Sequence, residues 1–381
     1  MKDKTAIVGI GQTVFEKKSE DTELILACKA IKDALDDAGI SASEVDALAS
    51  YTFEETEGFE IARNLGFGEV HYWSEAPYGG GASCAAIGQV AMSIALGISE
   101  VGVVWRSRKR GDPSSRMWSH AEERMYDHWK WSRPSGLVRP ADESSMLMRR
   151  YLHEFGYSRK DMAHIALSLR KYANKNKEAL MFNKELSFNE YMEARMISDP
   201  LCLFDNCLES DGAIAVVLVS KDRTKRLKQK PAYIHAYSQG MSDQHQLMCD
   251  YHGTNPLISS SYTTAKNLYR QSDYSAADID VAQFYDAFSP MIPFSMEAYG
   301  FCAQGEALGI IADGGINIDG SLPVNTSGGG MSEVYLHGMN LVIEGVRQIR
   351  GTSTSQVSGA NLSLVTTCDA TPNAAILLRG D

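Results

Sequence analysis

Residues 40–51 read ISASEVDALASY and residues 274–285 read YSAADIDVAQFY, and the two stretches align without a gap. Four residue types recur at matching positions, namely Ser41, Ala42, Asp46 and Tyr51 in the first stretch and Ser275, Ala276, Asp280 and Tyr285 in the second. GGGASC at 79–84 and GGGMSE at 328–333 match in the same order, each before a helical run. Two ordered matches predict a duplicated unit. The alternative is that two similar turns arose by coincidence.

The repeated unit combines strands and helices. TAIVGIG (5–11), VDALAS (45–50), VGVVW (101–105) and DGAIAVVLVS (211–220) are typical of strands. ELILACKAIKDALDDAG (23–39) is typical of a helix that Asp21 or Thr22 caps and Gly39 ends. This alternation predicts an α/β protein.

Two changes of composition divide the chain. Residues 107–200 are rich in Arg, Trp, Met and His and then amphipathic, which predicts a mainly helical insertion. The basic stretch KDRTKRLKQKP (221–231) is typical of a linker. We therefore expect an N-terminal half at 1–225, which includes the insertion, and a C-terminal half at 231–381.

Composition excludes several classes of protein. The net charge of −11 over 381 residues argues against a nucleic-acid partner. No apolar run approaches the roughly 18 residues of a membrane helix, so no membrane association is expected. Seven cysteines without a C-x-x-C pair fit a reduced cytoplasm, and Cys202 and Cys207 lack the paired ligands of a zinc site. We expect a cytoplasmic protein without a metal in this chain.

The first glycine-rich segment carries a candidate nucleophile, Cys84. A thiol in the first turn of a helix faces the positive end of the dipole, which favours the thiolate. The same N–H groups would stabilise an oxyanion. The alternative is that Cys84 is a small core residue, because free cysteine is among the most buried residue types.

The second segment, NTSGGGMSEVYLHGMN (325–340), carries Tyr335 and His337. His337 is a candidate general base or polarising donor, or else a structural residue of the helix. Cys368 lies where a strand passes into a turn, and Tyr285 opens YDAF (285–288) after a strand. Strand ends of α/β sheets are where sites gather, so these segments predict an active site without naming a substrate.

At this point the chain resembles the thiolase superfamily, in the branch of the sterol-carrier-protein-X thiolases and their bacterial relatives. The resemblance rests on AIVGIGQTVF, SDGAIAVVLVS, YDAFS and VNTSGGG. AQFYDAFSP and LPVNTSGGGMSEVYLHGMN are most similar to steroid side-chain aldolases and to the thiolase subunit of benzoylsuccinyl-CoA thiolase. The resemblance implies the thiolase fold, two βαβαβαββ halves in αβαβα layers. It also implies a homodimer and a small partner with a zinc finger and an OB-fold, of the DUF35 type.

The family's motifs carry over with departures. The nucleophile motif Cys-x-x-Gly falls on 81–84, so glycine stands at the usual cysteine and Cys84 comes three residues later. The histidine of Gly-His-Pro falls on Tyr335, and the second catalytic cysteine falls on Cys368.

Two activities follow from the resemblance, and the thiolytic one is the main expectation. There, Cys84 attacks a β-ketoacyl-CoA such as benzoylsuccinyl-CoA, Cys368 protonates the enolate, and coenzyme A is the co-substrate. In the alternative, retro-aldol activity, Tyr285 or Tyr335 removes the proton of a β-hydroxyl group. A non-catalytic subunit is the third possibility.

Further residues are expected to contact the acyl-CoA in either activity, namely Ser327, Gly328, Gly329 and Ser332. The run Arg106, Arg108, Lys109 and Arg110 is a solvated charge run or, alternatively, includes a partner for a substrate carboxylate. The Trp and Tyr residues of 118–131 are core or partner contacts or, alternatively, line an aromatic acyl pocket.

Overall fold

The computed structural model describes residues 1–381 except 52–53, 78–79, 81, 113–128, 244–253 and 368–372. Its strands are β1 Thr5–Gln12, β2 Ala47–Tyr51, β3 Tyr72–Ala76, β4 Val101–Arg108, β5 Met196–Ser198, β6 Leu201–Cys202, β7 Gly212–Ser220, β8 Ala232–Gly240, β9 Val281–Gln283, β10 Leu362–Thr366 and β11 Asn373–Arg379. Its α-helices are α1 Glu23–Ala38, α2 Gly58–Leu65, α3 Ser83–Ala95, α4 Trp129–Ser132, α5 Pro140–Phe155, α6 Arg159–Ala173, α7 Phe188–Glu193, α8 Lys221–Thr224, α9 Ser260–Gln271, α10 Met291–Ala298, α11 Ala307–Ala312, α12 Gly329–Ser332 and α13 Met339–Arg350. None of these helices is long and apolar enough to cross a membrane.

The strand order confirms the duplication. Within the described residues, the large sheet runs β3-β2-β4-β7-β1-β8-β11-β10-β9, so that β1 and β8 join the two halves. Outward from this join each half has the same order, because β1, β7, β4 and β2 correspond to β8, β11, β10 and β9. A parallel bridge between Ala282 and Val324 takes the place of β3 in the second half.

The stretches matched in the sequence have the same local structure. A 3₁₀ turn at Ala42–Glu44 precedes β2, and another at Ala276–Asp278 precedes β9. Asp46 accepts the N–H groups of residues 100 and 101 at the start of β4, and Asp280 accepts those of residues 361 and 362 at the start of β10. The repeated aspartate therefore aligns the neighbouring parallel strand in each half.

Three hydrophobic cores lie between the layers of the fold, in which the two halves of the large sheet form the two β layers. The central core contains strand residues of both halves and the buried faces of α3 and α13. A second core packs α1 on the other face of the N-terminal strands. A third packs α9, α10 and the insertion on the C-terminal strands. This arrangement confirms the αβαβα thiolase fold, and the described part of the insertion is mainly helical as expected.

The predicted bounds of helix α1 are confirmed, whereas the helix predicted at the second glycine-rich segment is corrected. Thr22 caps α1 by accepting the Ile25 N–H at 3.2 Å, and Gly39 ends it with φ +69°. The helical run expected from 328 onward is interrupted, since α12 stops at Ser332 and α13 begins only at Met339. Tyr335 and His337 therefore lie in an irregular segment and not on a helix.

Candidate active site

Two tyrosines share a hydrogen bond beside the central core. Tyr285 follows β9, and Tyr335 lies between α12 and α13. Their hydroxyl oxygens are 2.5 Å apart, and their ring centroids are 6.1 Å apart in an edge-to-face arrangement. Both side chains are buried. Two phenols in such contact can pass a proton from one oxygen to the other.

The first glycine-rich segment reaches this pair. A Cβ atom on Gly80 would lie 2.4 Å from the Tyr285 hydroxyl oxygen and 2.5 Å from its Cζ. Real Cβ atoms do not approach so closely, and only glycine fits here without a shift of the ring. Gly81, which stands at the family's usual cysteine position, lies outside the described residues.

A pair of side chains clamps Tyr285 against the second glycine-rich segment. The Phe284 N–H donates to Asn325 Oδ1, and Asn325 Nδ2 donates to the Phe284 carbonyl, both at 2.8 Å. The Asp286 carboxylate accepts the N–H of Gly330 at 2.8 Å. Burial raises the pKa of Asp286 to about 7, although the backbone N–H groups oppose this shift. In this position Asp286 anchors the glycine-rich loop beside the tyrosine.

Ser210 and Asp211, directly before β7, hold the other side of the site. Ser210 Oγ accepts the Tyr335 N–H at 3.1 Å and donates to the Tyr335 carbonyl at 3.3 Å. Asp211 accepts the backbone N–H of Arg110 at 2.5 Å and of Gly111 at 2.7 Å. Sequence reasoning did not single out these two residues, although they open the SDGAIAVVLVS stretch that carries the family resemblance.

The arginine run is buried, so the expectation of a solvated charge run is wrong for its three arginines. Arg106, Arg108 and Arg110 are 0 %, 3 % and 5 % exposed. Arg106 lies 3.7 Å from Glu54, and Arg108 lies 3.5 Å from Glu55. Within the described residues, the Arg110 guanidinium has no carboxylate oxygen within 4.0 Å. Within that part of the chain, Arg110 thus differs from Arg106 and Arg108, which both lie within 4.0 Å of a carboxylate.

His337 lies between two of these guanidinium groups. Its Nδ1 is 2.5 Å from Arg106 Nη2, and its Nε2 is 3.4 Å from Arg110 Nη2. Burial and then the charges of Arg106 and Arg110 hold the pKa of His337 well below its usual range. The imidazole is therefore neutral, and Nδ1 must accept from Arg106 because guanidinium has no acceptor. This environment makes His337 a weak base and leaves its proton on Nε2.

Cys84 does not have the surroundings of a thiolate. The side chain is fully buried in the central core, and its thiol donates to the Val365 carbonyl at 3.6 Å. Burial raises the pKa of Cys84 to about 12, so the thiol stays protonated although it lies in the first turn of α3. The sequence argument from the helix dipole is outweighed by desolvation. Cys368, its expected partner, lies outside the described residues.

The residues expected to contact the acyl-CoA are buried and hydrogen-bonded within the chain. Ser327 Oγ donates to Glu333 at 2.6 Å, and Ser332 Oγ accepts from Arg170 Nε at 3.2 Å. Gly328 and Gly329 have φ of +112° and +62°, which favour glycine. Their contact with a substrate stays a prediction. Of the aromatic residues at 118–131, Trp131 is exposed, and those at 118–128 lie outside the described residues.

A thiolase-type α/β protein is defined by these duplicated halves and by a site at the glycine-rich segments. Residues 243–377 match the family model "Thiolase C-terminal domain-like". Over 98 % of its length the chain is 38 % identical to a "17-hydroxy-3-oxo-4-pregnene-20-carboxyl-CoA lyase" of Mycobacterium tuberculosis, of which it covers 99 %. Over 99 % it is 39 % identical to a "Steroid side-chain-cleaving aldolase" of Thermomonospora curvata, of which it covers 98 %.

A solved structure agrees with these relatives. The "Ltp2-ChsH2(DUF35) aldolase" superposes with a TM-score of 0.93 at 38 % identity, over 100 % of this chain and 98 % of that one. The chain therefore belongs to the thiolase superfamily, in the sterol carrier protein 2 branch that includes the steroid side-chain aldolases. The benzoylsuccinyl-CoA thiolase subunit BbsB of Thauera aromatica is more distant, at 29 % identity over 54 % of this chain and 53 % of that protein.

Proposed function

We propose that this chain cleaves the Cα–Cβ bond of a β-hydroxyacyl-CoA ester by a retro-aldol reaction. The observation that carries the proposal is the 2.5 Å contact between the Tyr285 and Tyr335 hydroxyl groups. A hydroxyl proton must leave in this reaction, and a phenol pair with one of its protons removed is a suitable base. Relatives at 38 % and 39 % identity that are a CoA-ester lyase and an aldolase support the same reaction class.

The proposed reaction balances without an oxidant or an added nucleophile. The phenolate of the pair takes the proton of the β-hydroxyl group, and the Cα–Cβ bond breaks. Its electrons move to the thioester carbonyl as an enolate, and the former β-carbon becomes a ketone or aldehyde. The enolate then takes a proton at Cα, which yields the shortened acyl-CoA. The phenol pair supplies this proton, so that the site returns to its starting state.

The surroundings of Cys84 favour this reaction over the thiolytic one. Thiolysis needs a thiolate that reaches the β-keto carbonyl. Cys84 is fully buried, and its thiol donates to a backbone carbonyl. Coenzyme A accordingly enters as part of the ester and is not a co-substrate.

We propose a tertiary β-hydroxyacyl-CoA with a steroid-like carbon skeleton as substrate and a DUF35-type protein with a zinc finger and an OB-fold as partner. The substrate class follows the names of the two aldolase-type relatives. The partner follows the composition of the related aldolase structure. A homodimer remains a prediction from the family.

The test is an assay of the full chain, with and without such a partner, on 17-hydroxy-3-oxo-4-pregnene-20-carboxyl-CoA. The expected products are the ketone and the shortened acyl-CoA, formed without consumption of free coenzyme A. Tyr335→Phe and Tyr285→Phe are each expected to lower kcat at least about 100-fold. Tyr269→Phe is the matched control, because its hydroxyl donates to a backbone carbonyl of the outer layer at 2.8 Å.

Three outcomes separate the candidate activities. Ketone release that depends on both tyrosines supports the retro-aldol reaction. Turnover of a β-ketoacyl-CoA that requires free coenzyme A and is lost in Cys84→Ala would establish the thiolytic reaction instead. An absence of turnover in both assays with the partner present would leave a non-catalytic subunit.

A further inference from the structure

We propose that Arg110 is a positioning residue whose positive charge, which has no ion-pair partner among the described residues, lies beside the Tyr285–Tyr335 pair and thereby favours the pair's ionised form. This inference deepens the proposed function by assigning the group that makes a phenol usable as a base near neutral pH. The same charge acts on the tyrosine pair in the free protein, so one of the tests needs no substrate.

The geometry places Arg110 over one member of the pair. Its guanidinium carbon lies 5.9 Å from the centroid of the Tyr335 ring, and the side chain is 5 % exposed. Among the described residues, its Nε has no hydrogen-bond partner. A buried guanidinium with an unused N–H group retains the capacity to stabilise a negative charge close by.

Ser210 and Asp211 fix the relative position of the two residues. Ser210 bonds both the N–H and the carbonyl of Tyr335, and Asp211 accepts the backbone N–H of Arg110. Because the two anchors are adjacent in sequence, they hold the backbones of Arg110 and Tyr335 close to one another. The burial of the Arg110 side chain limits where its guanidinium can lie, and charges held in place act more strongly than mobile ones.

Arg106 and Arg108, which belong to the same run as Arg110, each lie close to a carboxylate. Glu54 lies 3.7 Å from Arg106, and Glu23 and Glu55 lie 4.0 Å and 3.5 Å from Arg108. No ion pair of this kind involves Arg110 within the described part of the chain. Among the described residues, two of the three arginines thus have a carboxylate partner, and the third lies over the Tyr335 ring.

The other ionisable groups around the pair belong to several elements. They are Asp286 after β9, Glu333 and His337 in the segment of Tyr335, Asp211 and Cys207 before β7, Cys84 on α3, Arg106 and Arg108 on β4, and Glu54 beside Arg106. Burial raises the pKa of Asp286 and of Glu333 to about 7 and raises the pKa of the Cys84 and Cys207 thiols. His337 is neutral. Near neutral pH the carboxyl groups of Asp286 and Glu333 are therefore partly protonated. The other charged groups there are the arginines and the carboxylates of Glu54 and Asp211.

The size of the effect follows from Coulomb's law. A unit charge at the 5.9 Å that separates the guanidinium carbon from the Tyr335 ring centroid, at an effective dielectric constant of about 20, moves the midpoint of ionisation by up to about two pH units. Loss of Arg110 is therefore expected to move the acid limb of the pH–rate profile upward by that amount.

The test compares Arg110→Gln with Arg110→Lys and with Arg108→Gln in the full chain. Arg108→Gln is the matched control, because Arg108 is equally buried on the same run but is paired with carboxylates. The readouts are the acid limb of kcat with the steroid-CoA ester, and the ultraviolet titration of tyrosinate in the free protein. Tyr335→Phe identifies which part of the titration belongs to the pair.

We expect Arg110→Gln to move both midpoints to higher pH, Arg110→Lys to restore most of the shift, and Arg108→Gln to leave both unchanged. If Arg110→Gln changes neither the midpoint of the acid limb of kcat nor the midpoint of the tyrosinate titration, the proposal is overturned, even if the variant is less stable. The same holds if the control shifts them equally. If no substrate is turned over, the proposed function fails alone, since the titration still decides the role of Arg110.

Discussion

Substitution of Gly80 by alanine tests whether the contact between the two halves sets the position of the tyrosine pair. The new Cβ would lie 2.4 Å from the Tyr285 hydroxyl oxygen and 2.8 Å from Cε1. Relief of that overlap requires a displacement of the ring by about 1 Å, which exceeds what a packed interior absorbs freely. Such a shift would stretch the 2.5 Å contact with Tyr335 beyond hydrogen-bonding distance.

The expected result is a loss of catalysis larger than the loss of stability. A misplacement of about 1 Å in a catalytic group lowers the rate about 100-fold, whereas overpacking of this size lowers the free energy of unfolding by about 1–3 kcal/mol. The assay is kcat for ketone release together with urea unfolding of the same preparation. Gly58→Ala is the control, because the nearest atoms to its Cβ lie 3.6 Å away.

A double variant decides whether the effect passes through Tyr285. If Gly80→Ala acts by moving that ring, then adding it to Tyr285→Phe lowers kcat little further, because the two changes remove the same interaction. Full activity of Gly80→Ala would refute the reasoning. So would a loss that adds completely to that of Tyr285→Phe, since the glycine would then act elsewhere.

Three further predictions concern the buried ionisable groups. Cys84→Ala is expected to keep kcat for the retro-aldol reaction within about threefold while lowering the free energy of unfolding by about 1–2 kcal/mol; a kcat lost without unfolding would restore the nucleophile. Because the pKa of His337 is held well below its usual range, the unfolded chain binds the extra proton, so stability falls as pH drops below about 6.5. Urea unfolding of His337→Gln should show a weaker fall, and an unchanged slope would contradict the neutral imidazole. Burial raises the pKa of Glu333 to about 7, so its contribution to the free energy of unfolding is lost as pH rises through that value. Glu333→Gln should therefore gain stability relative to the wild type between about pH 5 and pH 8 in unfolding titrations, and a constant difference would show that the carboxyl group is not perturbed.

Much of the fold was predictable because it is encoded locally and encoded twice. Thr22 and Gly39 mark the ends of α1, and the structure places the helix at Glu23–Ala38. Asp46 and Asp280 recur in the sequence because each aligns a parallel strand by accepting two backbone N–H groups. A local signal of this kind needs no knowledge of distant contacts, and repetition distinguishes it from coincidence.

The site was predictable only in part. Tyr285, Tyr335 and His337 were expected from motif positions, and the structure brings the two phenols into contact. The break between α12 and α13, which removes His337 from a helix, was not expected. His337 has a φ of +48°, and its ring contacts Arg106 and its carbonyl accepts from Tyr51, both of which are distant in sequence. The roles of Ser210 and Asp211 also depend on partners distant in sequence.

The sequence by itself determined the duplicated α/β architecture, the segments that meet at the site and the residue types available there. Only the tertiary structure decided which of these groups ionise. The sequence left open whether Cys84 is a thiolate or a core thiol and whether Arg110 belongs to a solvated charge run. In the structure the first is a protonated core thiol and the second a buried cation without a described carboxylate partner. The physical reason is that ionisation depends on desolvation and on neighbouring charges in space, and neither quantity is fixed by residue order.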